Sequence, residues 1–133
     1  MNKKLLSTEV EKHEIIISED VFAKRISELL LDLGFRPNLK GFIYTKEAIC
    51  LYTKISFVNS IFNDIYSEIA KKYSVSAMSI DHSIKKSIEA AWYSDKLNKA
   101  HMLFKCSYIK HDYPPINSEF IATMAELTKF RNV

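Results

Sequence analysis

Only two glycines and three prolines occur among 133 residues, and that scarcity narrows the fold more than any other feature. Sheet-rich folds spend such residues on many tight turns, whereas helical folds need them mainly at element ends. Apolar residues recur at i, i+4 spacing, so the sequence predicts an all-α domain of about six helices containing a helix-turn-helix. Two glycines also exclude a Gly-rich phosphate loop and a dinucleotide-binding fingerprint. The length is that of one domain with a sizeable core. At 47% apolar and 26% charged residues, the composition is that of a globular chain and not of a disordered one. No apolar run approaches the roughly 18 residues of a membrane span, and no apolar stretch follows Lys3 and Lys4 as it would in a signal peptide. Cys50 and Cys106 lie 56 residues apart without a CxxC companion, which reads as reduced structural thiols in a cytoplasmic protein.

Element by element, Ser18 is placed to cap a helix running to about Leu33, with Phe22, Ile26, Leu29, Leu30 and Leu33 as its apolar stripe. Gly34 supplies the left-handed residue that ends it. After the Arg36-Pro37-Asn38 connector, a second helix is expected beyond Gly41, burying Ile43, Ala48, Ile49 and Tyr52. Ser56 to Asp64 reads as one or two short helical turns. Tyr66 to Tyr73 is then a short helix, Ser74 to Ser76 a tight turn, and Ala77 to Tyr93 a longer helix capped by Ser76. Asp95 to Phe104 reads as another helix, and Cys106 to Ile116 as a loop with a Tyr113-Pro114-Pro115 stop. Asn117 or Ser118 would cap a last helix through about Phe130, with Phe120, Ile121, Met124 and Leu127 facing inward. Residues 1–17 form a leader ahead of the 18–133 domain. Its Glu14-Ile15-Ile16-Ile17 stretch has the β-branched content of a strand but no evident partner, so it is expected to pack locally or across a dimer.

The net charge of +3 is unevenly spread. Residues 1–70 carry 9 Lys/Arg against 10 Asp/Glu, and residues 111–133 again balance at −1. Residues 71–110 hold eight lysines against Asp81, Glu89 and Asp95, a block of +5. Such a block is either a phosphate-binding surface or a solvated lysine-rich face. Its centre favours the first reading. A helix-turn-helix needs a small residue at the helix crossing, a short turn, and apolar residues that lock the pair. Ala70 is the small residue here, and Ile69, Tyr73, Val75, Ile80 and Ile84 form the locking set; Ser74 stands where glycine is common. At 100° per residue, Ile84, Ile88, Ala91 and Trp92 cluster near Ile80, while Met78, Ser79, His82, Lys85, Lys86 and Glu89 fall on the opposite face. Side chains in the first half of such a helix reach base edges, and nearby lysines hold phosphates. Ser76 and the free amides of the first turn can take a phosphate as well. The same pattern also suits two helices of a structural bundle.

Four blocks carry a family resemblance: Phe35 to Ile49 (FRPNLKGFIYTKEAI), Glu68 to Tyr73 (EIAKKY), Ser87 to Trp92 (SIEAAW) and Asn117 to Ala122 (NSEFIA). In this order they resemble the C-terminal effector domain of the stage-zero sporulation protein A family, the response regulators that govern the onset of sporulation in endospore-forming Firmicutes. The resemblance runs from about Ile26 to Phe130, with a one-residue shortening near Phe57 to Asn59. It implies six helices and binding to short double-stranded DNA boxes, often as tandem copies. Family recognition helices contact DNA through an acidic residue and several arginines; the matching positions are Asp81 for the acid, and Ser79, His82 and Lys85 for the arginines. Lys86 falls where another basic or imidazole group is usual. No arginine occurs in residues 77–93, so the bidentate guanine fork is missing and each lost pair removes about 1–3 kcal/mol of discrimination. Full-length members carry a receiver domain ahead of the effector, for which the roughly 20 residues before the first helix leave no room; the expectation is a regulator without its own phosphorylation switch.

Other chemistry is weaker. His13, His82, His101 and His111 show no HxxxH or CxxC spacing, so neither a metal site nor a cofactor is expected. Cys50, between Ile49 and Leu51, reads as an inert thiol, and no catalytic residue is assigned. Phe42, Tyr44, Tyr52 and Trp92 read as core. Lys71 and Lys72 serve either as phosphate contacts or as partners of the helix dipole; Lys105 joins the phosphate set. The functional expectation is therefore a sequence-specific DNA-binding transcriptional regulator linked to sporulation. The alternative is an interaction module that acts on the parent regulator or on RNA polymerase without reading DNA. An accessory factor that bends DNA for recombination fits the charge alone.

Overall fold

A computed structural model of the chain describes residues 20–98 and 113–131, with side chains to residue 129. Helix α1 covers residues 20–32, α2 Lys40–Lys54, α3 Ser67–Tyr73, α4 Ala77–Tyr93 and α5 Asn117–Arg131, and among the described residues there is no strand. A π-helical turn, Ile61–Tyr66, leads directly into α3. The all-α expectation holds. Ser18, His13, His101, His111, Lys105, Cys106 and the leader 1–17 lie outside the described residues.

Helix α1 ends as its glycine requires. Gly34 has φ +94°, and the Phe35 N–H reaches back to the Leu30 carbonyl at 2.9 Å, which closes the turn with Leu30 and Phe35 both buried. Phe35 then stacks on Phe120 of α5, ring centres 5.3 Å apart, fixing the end of α1 against α5. Helix α2 begins at Lys40, one residue before Gly41, and contacts both α4 and α5. Its inward face is Gly41, Phe42, Tyr44, Thr45, Ala48 and Ile49. Ile43, expected inside, is 42% exposed, because it falls off the 41-45-48-49 stripe that the helical period defines.

The segment 55–60 is irregular, so only the end of the Ser56 to Asp64 stretch is helical. Its π-turn has its own start signal. The Asp64 carboxylate accepts the Asn59 and Ser60 N–H groups at 2.9 and 3.0 Å, while Ser60 Oγ accepts from Asn63 N–H at 3.2 Å. Residues 94–98 form a turn in which Asp95 has φ +67°, so the helix expected from Asp95 does not begin there; its remainder lies outside the described residues. At α5, Asn117 is the first helical residue and not a cap, and its side chain points across the fold to α4. One core unites the elements: Ile26, Leu30, Ile49, Ile65, Ile69, Ile80, Ile84, Ile88, Phe120 and Ile121 are all 1% exposed or less.

Candidate nucleic-acid interface

Helices α3 and α4 are joined by three residues, Ser74 to Ser76. Ser74 takes a left-handed conformation (φ 55°, ψ 45°), and the Val75 N–H reaches the Ala70 carbonyl at 3.1 Å. This is the closure seen after α1, with serine in the glycine position. Ser76 then opens α4: its Oγ accepts the Ser79 N–H at 3.1 Å. The first turn of α4 has no acidic residue, so the positive end of its dipole is uncompensated by the helix itself.

Two contacts set the pose of this pair. On the inner side, Ile80, Ile84, Ile88, Ala91 and Trp92 are buried, as their helical angles predict. Gly41 of α2 lies so close to Ser87 and the Ser83 carbonyl that a Cβ there would collide with both. On the α3 side, Glu47 of α2 binds twice through one oxygen, accepting from Lys72 Nζ at 2.5 Å and from Tyr73 Oη–H at 2.8 Å. Tyr73 also meets Tyr44 edge-on, ring centres 5.4 Å apart. The hydrogen bond from Lys72 raises that lysine's pKa, and burial raises that of Tyr73.

The outward face of α4 presents Met78, Ser79, His82, Lys85 and Lys86, all exposed, with Met78 at 71%. Lys71 is exposed on α3 and meets Glu68 at 3.4 Å; Ser76 is exposed at the turn while also serving as the cap. Asp81 differs. It is half-buried on the flank of α4, and Asn117 Nδ2 donates to both its carbonyl oxygen (2.9 Å) and its Oδ1 (3.1 Å). Asp81, Lys85 and Glu89 line a cleft of about 530 Å³ closed on its other sides by Tyr66, Pro115 and Asn117. Burial pushes the Tyr66 hydroxyl up to about 12 against the opposing effect of Asn117 beside it, and the hydroxyl makes no hydrogen bond of regular geometry. Sequence reasoning singled out neither Glu47 nor the Asn117–Asp81 contact, since both partners are remote in sequence.

The arrangement is a positively ended helix with a polar, lysine-bearing face, packed from behind against α2. The family model described as Sporulation initiation factor Spo0A C terminal matches residues 26–127, more than three-quarters of the chain. The chain belongs to this family. It is therefore a DNA-binding sporulation effector domain of regulatory character. The matched span runs from α1 into α5 and includes the whole of α3, the turn and α4. No group of three or more His, Cys, Asp or Glu side chains among the described residues is arranged to hold a metal ion, and no helix among them is long and apolar enough to cross a membrane. Cys50 is half-buried, with its thiol pKa raised by that burial, the opposite of what a nucleophile needs.

Proposed function

We propose that the chain is a sequence-specific transcriptional regulator linked to sporulation, which lays α4 in the major groove of double-stranded DNA. In this reading Ser79, Asp81, His82 and Lys85 face base edges, while Lys71, Lys72, Ser76, Lys86 and Lys105 lie near phosphates. The observation that carries it is the outward face of α4, where polar and basic side chains stand exposed beside an unneutralised helix N-terminus. Buried Ile80, Ile84 and Ile88 leave that face no role in the core. The family resemblance implies binding often as tandem copies, and tandem copies or a dimer on DNA are proposed here, with RNA polymerase as a further contact and the cytoplasm as location.

Selection of bound duplexes from a random pool tests the proposal. A recurrent box is expected, with weaker guanine preference than an arginine-bearing recognition helix would impose. Binding at low salt that shows no recurrent sequence, or that survives the double change of Lys85 and Lys86 to alanine undiminished, would sink it and favour the interaction module instead.

A further inference from the structure

We propose that Asn117 is a positioning residue for base reading: from the start of α5 it orients the Asp81 carboxylate on α4. The inference rests on the DNA-binding role of α4 given above and deepens it. Asp81 lies about 100° round the helix from buried Ile80, on the border between the inner and outer faces. A lone carboxylate at such a border is free to swing between rotamers. Here one amide nitrogen grips both the main chain and the side chain of the same residue, at 2.9 and 3.1 Å, from 36 positions away in sequence. The carbonyl of a mid-helix residue already accepts one intrahelical bond, so Asn117 uses its second lone pair and the helix stays intact.

That use of Asn117 is unusual for its place. An asparagine at a helix start commonly caps it, yet the Phe120 N–H is satisfied by the Ile116 carbonyl at 3.0 Å, and the Asn117 side chain is spent on α4 instead. Tyr66, 1% exposed, lines the same cleft as Asp81 and Asn117, beside the amide that makes the contact. With Oδ1 held, Oδ2 is the acceptor left to meet the N4 amine of a cytosine, the usual base partner of a carboxylate in the major groove. Because residues 77–93 contain no arginine, base reading depends on few groups, and fixing one of them matters more.

The test uses the whole chain and the duplex it selects, with every single base-pair change, read by fluorescence anisotropy. Asp81→Ala should flatten discrimination at one C·G pair. Asn117→Ala should lower discrimination at that same pair by three- to tenfold, leaving non-specific affinity and its salt dependence unchanged. Asn117→Asp, isosteric and favourable at a helix N-terminus, should lower discrimination at that pair as well while α5 remains formed by circular dichroism. The double variant of Asp81 and Asn117 should be no worse than Asp81→Ala alone. Equal weakening on all duplexes, unaltered discrimination, or unfolding of both Asn117 variants would each overturn the positioning role. A wild-type chain without sequence preference would overturn the DNA reading and this inference together.

Discussion

Two helix ends in this chain solve the same geometric problem with different residues. Gly34 and Ser74 both occupy the left-handed position after a helix, at φ +94° and +55°, and both are followed by a residue whose N–H reaches back five positions. Glycine takes this conformation without steric cost, while for a residue with a Cβ it costs about 1–2 kcal/mol. Ser74 is exposed, and its side chain makes no hydrogen bond among the described residues that would offset that strain. Ser74→Gly should therefore stabilise the domain by about 0.5–1 kcal/mol after the extra backbone entropy of glycine is counted. In a domain of this size that is a rise of about 2–4 °C in Tm by differential scanning calorimetry. Ser74→Ala keeps the Cβ and should show no gain. A fall in Tm for the glycine variant would mean that the serine hydroxyl matters to the turn.

At the scale of elements, the α3–α4 pair owes its pose to α2. Helix α2 meets α4 through Gly41, where the backbone of one helix lies against Ser83 and Ser87 of the other, and meets α3 through Glu47. Gly41→Ala would raise helix propensity by up to about 1 kcal/mol in an isolated helix. In the fold the added methyl collides with the Ser83 carbonyl, a backbone atom that cannot turn aside. Net destabilisation of at least about 2 kcal/mol is expected in urea unfolding, and a neutral result would show that α2 and α4 separate without penalty. Much of this layer was legible. The apolar period located α2 and α5 closely, period and the Ser76 cap located α4, and the angular positions of Ile80, Ile84, Ile88, Ala91 and Trp92 matched their burial. The misreadings share a cause. Ile43 was placed inside for its apolarity and Asn117 at a cap for its residue type, yet helical phase exposes the first and a contact across 36 residues claims the second. The π-turn at Ile61–Tyr66 depends on Asp64 and Ser60 acting together, a local bargain that no apolar period announces.

For the whole molecule, the question is which charges of the +5 block meet DNA and which are spent inside the protein. Sequence arithmetic treats its lysines alike, and the structure does not. Lys85 and Lys86 stand exposed on the outer face of α4, whereas Lys72 is held by Glu47 on α2. A phosphate contact made by an unpaired lysine releases about 0.9 counterion from duplex DNA, and log Kd changes with log salt in proportion. A lysine already facing a carboxylate adds less, because the partner must be given up first. Changing Lys85 and Lys86 together to alanine should thus lower the salt slope by at least about one, the share of the Lys86 phosphate contact. Lys72→Ala should lower it by well under one, and Glu47→Gln should raise it by freeing that ammonium. Lys24→Ala, on α1 and outside the basic block, should leave it unchanged and controls for net charge. Binding titrations between low and physiological salt measure all four. Equal changes for Lys24 and the α4 pair would mean that affinity follows total charge; a smaller slope for Glu47→Gln would mean that the Glu47–Lys72 pair positions α3 for DNA instead of restraining its lysine.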